Sequence, residues 1–255
     1  GKITIPDGEV YGLNIRFPMN YENEALQVAS SKPIHISTQN IRYGALSVAN
    51  GELDLFGRYP NTMKNPLTLR NVKLSLFDGL LTVPQLTFPQ SKMATLSFTN
   101  IDLAQVLALA QYNQVTLTGR ANAILPFWLG HKECLICNGT LEQVGNVSIK
   151  LTDEMVKGLK KGGWTENILV DLLKEMELQN SHAAVTLDPK GQMRLRASIS
   201  GFNPTKRTNN PITLNYTHQE NMFELWNMID YGSQFEQNLQ YKLYKQLDKT
   251  NDKTP

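Results

Sequence analysis

The run "VTLTGRANAILPFWL", residues 115–129, alternates along its length. Val115, Leu117, Ala121, Ala123, Leu125, Phe127 and Leu129 occupy one parity, and Thr116, Thr118, Arg120 and Asn122 the other. A period of two places alternate side chains on opposite faces of a strand, so this stretch reads as a half-buried strand with one apolar face. The same pattern recurs. "YGLNIRFPMNY" sets Leu13, Ile15, Phe17 and Met19 against Asn14, Arg16 and Asn20; "VKLSLF" groups Val72, Leu74 and Leu76; "MRLRASIS" groups Met193, Leu195, Ala197 and Ile199. Strands covered on both faces would instead read as continuous apolar runs. Turn signals such as "PDGE", "ANGE", "YPNTMKNP", "DPKG" and "NPTKRTNNP" separate the strands, which predicts a long antiparallel meander. Pro18, Pro84 and Pro126 fall inside strand-like runs, and each predicts a bulge, a bend or a strand end because it removes a ladder donor.

Four stretches change period and predict amphipathic helices. "TNIDLAQVLALAQY" follows a cap at Thr99 or Asn100. "TDEMVKGLKKGG" follows Thr152. "WTENILVDLLKEMEL" has Thr165 as cap, Trp164 placed to staple onto Leu169, and an apolar face of Ile168, Leu169, Leu172, Leu173 and Met176. The C-terminal region, about 221–248, carries "ENMFELWNMIDY" and then "SQFEQNLQYKLYKQLDK" with a Ser233/Glu236 capping box. The expectation is one elongated β domain over residues 1–245 including these helices, and a disordered tail at 249–255.

Composition narrows function by exclusion. The 255 residues carry 25 basic and 23 acidic side chains, a net charge of +2. That is too little field for a nucleic-acid or phosphate-binding role. No window approaches the ~18 apolar residues of a membrane span, and no signal peptide opens the chain. The opening "GKITIPDGEVYG" reads as mid-strand, as in a fragment of a longer chain with its targeting segment upstream. There is no Gly-rich phosphate loop, no G-x-S-x-G elbow and no H-E-x-x-H. Ser181, His182 and Asp188 lie close in sequence, which says nothing about meeting as a triad in space. Asp171, Lys174, Glu175 and Glu177 read as the solvated face of a helix. No enzyme, cofactor or metal is expected.

The two cysteines sit in "HKECLICNGTLE" as C-x-x-C, with His131 three residues upstream. In one regular strand Cys134 and Cys137 would project from opposite faces and could neither bridge nor clamp one metal. A structural disulfide requires Cys134 to sit in the preceding turn. A redox dithiol normally sits at a helix N-terminus, and nothing helical follows Cys137. Free thiols and a structural bridge both remain open.

A one-sided apolar sheet must have that face covered. A second sheet gives a sandwich, closure gives a barrel, and a curled sheet gives an open trough covered by ligand hydrocarbon. Periodicity does not choose among them.

Residues 117–151, "LTGRANAILPFWLGHKECLICNGTLEQVGNVSIKL", resemble a segment of the YdbH-like proteins within the AsmA-like superfamily. The residues that carry this are Gly119, Ala121, Leu125, Pro126, Asn138, Gly139 and Gly145. "VTLDPKGQMRLRASISGFNP" and "PITLNYTHQENMFELW" are similar to that family's C-terminal end, through Asp188, Gly191, Gly201, Asn203, Pro204 and Asn215. The resemblance implies a mainly β fold, a long curled antiparallel sheet forming an open U-shaped apolar groove with a few amphipathic helices. It implies a periplasmic protein, anchored in the bacterial inner membrane by a helix upstream of this chain, that moves phospholipid toward the outer membrane. The groove lining would then be Leu13, Ile15, Phe17, Met19, Val72, Leu74, Leu76, Val115, Leu117, Leu125, Phe127, Met193, Leu195 and Ile199. It also implies a small outer-membrane lipoprotein of the YnbE type as partner. That partner would add a strand at the final strand signal, Ile212, Thr213, Leu214, Asn215 and Tyr216, which has no charge or proline to blunt a sheet edge; on the residues alone, helices beyond Glu220 folding back over that edge are an equal alternative. A dicarboxylate-transport label attached to the family finds little support, because Arg16, Arg120, Arg194 and Arg196 fall on the polar parity. The alternative is a non-enzymatic scaffold or chaperone-like module in outer-membrane biogenesis.

Overall fold

A computed structural model describes residues 1–5, 8–22, 25–28, 32–57, 63–64, 66–109, 115–154, 156–157, 174–205 and 211–224. Their dominant feature is one 14-stranded antiparallel sheet. Its backbone is a meander of β6 (Ile34–Tyr43), β7 (Leu46–Phe56), β8 (Leu67–Leu76), β9 (Gly79–Phe88), β10 (Ala94–Asp102), β11 (Val115–Phe127) and β12 (Ile136–Leu151). Beyond β12 come β13 (Glu175–Leu178) and β14 (His182–Leu187), which pair end to end along β12, then β15 (Gln192–Phe202) and β16 (Ile212–Asn221). At the other end lie β1 (Lys2–Ile5), β2 (Gly8–Tyr11) and β3 (Asn14–Arg16), the last two end to end along β6. The hairpin β4 (Met19–Glu22) and β5 (Ala25–Val28) forms a separate two-stranded sheet. Among the described residues the sheet is open. The N-terminal strands do not pair with β16, so the strands do not close into a barrel.

Four of the long strands, β7, β8, β10 and β12, are interrupted by an asparagine that bends them. Asn50, Asn71, Asn100 and Asn138 adopt left-handed backbone angles (φ 47–57°), a conformation asparagine tolerates better than other side chains. Register shifts flank all four: Ala49 to Glu52 in β7, Arg70 to Lys73 in β8, Phe98 to Ile101 in β10, and Ile136 to Gly139 in β12. Pro84 lies between the pairs Arg70–Gln85 and Val72–Val83, opposite Asn71, and Pro126 lies in the shift between Ile124 and Phe127. The prolines therefore stand where no ladder donor is needed. Bulges of this kind bend a strand and raise its twist, and here they recur from strand to strand.

Some expectations need correction. "YGLNIRFPMNY" is not one strand: Gly12 (φ 63°) ends β2, and Pro18 separates β3 from β4. The helix after β10, α1 (Leu103–Leu109), is capped by Asp102, whose Oδ1 accepts from the N–H of Ala104 (2.8 Å) and Gln105 (3.3 Å). Thr99 and Asn100 belong to β10. "EMEL" is strand, not helix: Glu175 and Glu177 face Lys150 and Ser148 across the ladder, and Met176 faces Ile149. Its helix-forming residues alternate as well as they coil, and pairing with β12 decides between the two. "TDEMVKGLKKGG" is helical at 153–154 and 156–157, with the Val156 N–H on the Thr152 carbonyl. The expected helical face at Ile168, Leu169, Leu172 and Leu173, the Trp164/Thr165 cap, and the C-terminal region beyond residue 224 with its tail lie outside the described residues.

Two glycines test the bulge geometry. Gly119 (φ 108°) has no room for a side chain: a Cβ would lie 2.6 Å from the Asn146 carbonyl oxygen and 2.9 Å from Val147 Cα. Gly145 (φ 64°) has nothing within 4 Å. Gly145→Ala should therefore cost only the left-handed penalty of about 1–2 kcal/mol. Gly119→Ala adds a backbone clash worth on the order of 1–3 kcal/mol more. Urea unfolding midpoints of the two variants check that order.

Candidate functional site

Side chains at paired positions of neighbouring strands share a face. One row of pairs runs unbroken across eight strands: Leu74, Leu81, Phe98, Ala123, Leu141, Ala183, Ala197 and Tyr216. A second runs Ala94, Phe127, Ile136, Leu187, Met193. On the N-terminal side, Ile15, Ile36 and Leu53 form one row, and Ile34, Leu55, Leu69 and Leu86 another. The sheet thus carries one apolar face from β3 to β16. Apart from Val156, the buried hydrophobic residues sit on it, among them Val72, Leu76, Val83, Ala123, Val147, Met176 and Val185. Most of the other side chains on this face are half-buried, while the opposite face of β11, β15 and β16 is exposed at alternate positions.

The residues expected to share a face largely do so. Val72, Leu74 and Leu76 face Val83, Leu81 and Gly79. Val115 and Leu117 face Leu151 and Ile149; Leu125 faces Leu96, and Phe127 faces Ala94 and Ile136. Met193 and Leu195 face Leu187 and Val185, and Ile199 faces Leu214. Leu129 falls beyond the end of β11 and is exposed. At the N-terminal end only Ile15 joins the large sheet through its pairing. Leu13 and Phe17 flank β3, Met19 lies in the separate hairpin, and all four are exposed (38–55%). Leu67, Leu69, Leu86 and Phe88 were missing from the sequence reading. The bulge at Asn71 and Pro84 reverses the parity, so a fixed period of two loses them.

α1 reaches over one end of this face. Leu103 packs with Leu117, Ile149 and Ile199 against the buried cluster Val147, Met176 and Leu178. Gln105 Nε2 donates to Asp78 Oδ2 (2.6 Å), and Arg120 donates to the carbonyls of Asp78 (3.0 Å) and Asn100 (2.7 Å). A shallow hollow of about 290 Å³ lies between α1 and the strand turns, lined by Leu46, Phe77, Ala108 and Leu109 among others.

β16 is the last strand. It pairs with β15 over its whole length, from Gly201–Ile212 to Gln192–Asn221, and among the described residues no strand lies on its other side. Ile212, Leu214 and Tyr216 point to the apolar face, and Thr213 and Asn215 to the other, opposite Ser200 and Ser198. Further along, that apolar face turns polar. His218 lies opposite Leu195 and Glu220 opposite Met193, with His218 Nδ1 3.2 Å from the Tyr216 hydroxyl and Nε2 3.4 Å from Glu220.

The arginines fall on the polar parity as expected: Arg194 and Arg196 lie opposite Thr186 and Ala184, and Arg16 opposite His35. On that face Asp54 accepts from Asn71 Nδ2 (2.8 Å) and contacts His35 Nδ1 (2.9 Å). These hydrogen bonds, the Asn71 bond first, hold its carboxyl below the ordinary aspartate range. Cys134 and Cys137 form a disulfide with Cα atoms 5.4 Å apart. β12 begins only at Ile136, so Cys134 stands in the turn and its sulfur is free to meet Cys137. Ser181 caps the break between β13 and β14, its Oγ accepting from the Ser200 N–H. Asp188 closes the β14–β15 turn through the N–H groups of Lys190 and Gln192, which gives both residues backbone roles.

The described residues form a mainly β fold in which one large antiparallel sheet carries an extended apolar face. Residues 2–244 match the YdbH-like family, described as intermembrane phospholipid transport protein YdbH, and the chain belongs to that family. It is similar to the probable phospholipid transport protein YdbH of Escherichia coli (strain K12), 26% identical over 232 residues that make up 91% of this chain and 26% of that protein. The chain thus spans about a quarter of the relative's length. No solved structure matches.

Asp54 gives a pH prediction. Its lowered folded-state value contributes stability that is present above the ordinary carboxylate range and lost as pH falls from there through the lowered value. Between pH 5 and pH 3 the thermal midpoint of the native chain should fall further than that of Asp54→Asn, as followed by circular dichroism.

Proposed function

We propose that this chain is a segment of a bridge-like phospholipid carrier in which lipid acyl chains lie on the apolar face of the sheet. The observation that carries this reading is the row of apolar pairs running across eight strands of an open sheet. An isolated soluble sheet cannot leave such a face to water, at a cost of roughly 25 cal/mol per Å² of apolar surface. Hydrocarbon is a cover that can slide, whereas a second sheet is not. The bulges support a sheet curled into a groove, with the lining as given above except Leu13, Phe17 and Met19, which lie off the large sheet's paired face, and joined by Leu67, Leu69, Leu96 and Leu141. Membership of a phospholipid-transport family supports phospholipid as the cargo. In this reading the segment works in the periplasm, in a protein anchored to the inner membrane upstream of this chain, and performs no catalysis.

β16 is the docking edge of the same reading. A small outer-membrane lipoprotein of the YnbE type adds a strand there and carries the apolar face onward. Backbone pairing supplies affinity and alternate side chains fix the register.

Leu125→Arg tests the cargo. A charge at this position costs several kcal/mol in a closed core, and less beside an open groove with water at its mouth. The folded variant should co-purify with a small fraction of the phospholipid that the native chain retains, as counted by lipid mass spectrometry. Retention of the full amount would sink the lining assignment. The edge is tested by proline placed in turn at Leu214 and Asn215, with alanine controls. Neighbouring N–H groups point to opposite sides of a strand, so one proline disturbs the β15 ladder and the other removes a donor facing the partner. The latter should abolish crosslinking to the lipoprotein with the fold intact. Undiminished crosslinking for both would place the docking site elsewhere.

A further inference from the structure

The loop joining β11 to β12 brings three metal-ligand side chains together. His131, Cys134 and Cys137 each offer one donor atom, and the three atoms lie within 4.8 Å of one another. His131 Nδ1 is 3.4 Å from Cys134 Sγ. The sulfurs are joined as a disulfide, so the oxidised loop has no thiolate to offer. We propose that reduction of this disulfide converts the loop into a binding site for a thiophilic cation of the zinc class, held by the two thiolates and the imidazole.

The geometry fits such an ion. With Zn–S near 2.3 Å and Zn–N near 2.1 Å, tetrahedral coordination places sulfur and nitrogen about 3.6 Å apart. The imidazole and the Cys134 sulfur already stand close to that separation. The change required is rotation of the cysteine side chains to part the sulfurs.

The frame around the loop does not depend on the disulfide. The Trp128 N–H donates to the Leu135 carbonyl (2.9 Å), and the Leu135 N–H to the Leu187 carbonyl (2.7 Å). Gln90 ties the loop to the β9–β10 connection, its Nε2 donating to the Phe127 carbonyl (2.8 Å) and its Oε1 accepting from the Leu129 N–H (2.6 Å). The Trp128 ring lies 5.1 Å from the His131 ring. Opening the S–S bond therefore leaves the three donors near one another. All three residues are half-buried, so a reductant and an ion can reach them.

Two backbone N–H groups, of Glu133 and Cys134, now approach His131 Nδ1 at 3.3 Å, and that lone pair must turn to the ion. Three protein ligands leave the fourth position to water, the pattern of an open rather than a closed zinc site. Two thiolates with one imidazole favour zinc or copper(I) over magnesium or calcium.

The chemistry balances with a phosphine as reductant. The phosphine takes up an oxygen from water to become its oxide, the S–S bond is cleaved to two thiols, and binding of the divalent ion releases both thiol protons. Cobalt(II) is the probe, because thiolate ligation gives a sulfur-to-cobalt charge-transfer absorption. The reduced chain, freed of phosphine under anaerobic conditions, should take up one cobalt per chain with that absorption, and added zinc should bleach it. The oxidised chain should give none. His131→Ala should weaken cobalt binding by ~10-fold or more, the scale on which even the partners of metal ligands matter. His131→Asn, which keeps an acceptor for the two N–H groups but ligates poorly, should behave alike. Equal melting of the oxidised variants shows that the fold is kept. No charge-transfer band in the reduced chain, or binding unchanged by both His131 substitutions, would overturn the proposal.

Discussion

Covering one face of an unclosed sheet is the constraint from which the rest follows. Sandwiches and barrels meet it with protein; the described part of this chain is dominated by one open sheet whose apolar rows run to its last strand. The strands share the burden locally. Small residues, Ala94, Ala121 and Ala123, lie nearly buried among larger neighbours, so part of the face packs against itself as the strands bend. The bulges at Asn50, Asn71, Asn100 and Asn138 are thus more than irregularities of pairing. A flat sheet would leave these side chains standing apart in water.

The face is not uniform. Over β11, β12, β13 and β15 it is closed down by Leu103 of α1, and the cluster of Val147, Met176 and Leu178 is nearly sealed from solvent. Toward β16 it opens, and along that strand it passes from Ile212 and Leu214 to His218 and Glu220. Inward-pointing charge is one of the ways natural sheets discourage indiscriminate pairing at an edge. If β16 is the docking edge proposed above, it has to accept one strand and refuse others, and a strand apolar at one end and ionic at the other suits that need.

Much of this was legible in the residues. Unbroken alternation in "MRLRASIS" and across residues 115–127 fixed strand, face and turn positions, because a parity error there would turn an entire apolar row to water. The reading failed where local and non-local preferences diverge. "EMEL" consists of good helix formers, and only its pairing with β12 makes it a strand. Leu67 and Leu69 were hidden by the parity change at Asn71, visible in hindsight as an asparagine facing a proline across the ladder. The helix cap moved from Thr99 or Asn100 to Asp102 because β10 continues pairing with β11 to its last residue. For the cysteines, the sequence stated the condition for a bridge, a turn at Cys134, without saying whether it was met. The convergence of His131 with both sulfurs required the loop conformation itself.

The central claim is that hydrocarbon lies on one face of this sheet and not on the other. Site-specific photocrosslinking in cells tests it most directly, with the reactive side chain placed at successive positions of β15 from Met193 to Ile199. The account predicts crosslinks to phospholipid from Met193, Leu195, Ala197 and Ile199, and none from Arg194, Arg196 and Ser198. Lipid crosslinks without that alternation, or none at any position in a folded chain, would contradict it.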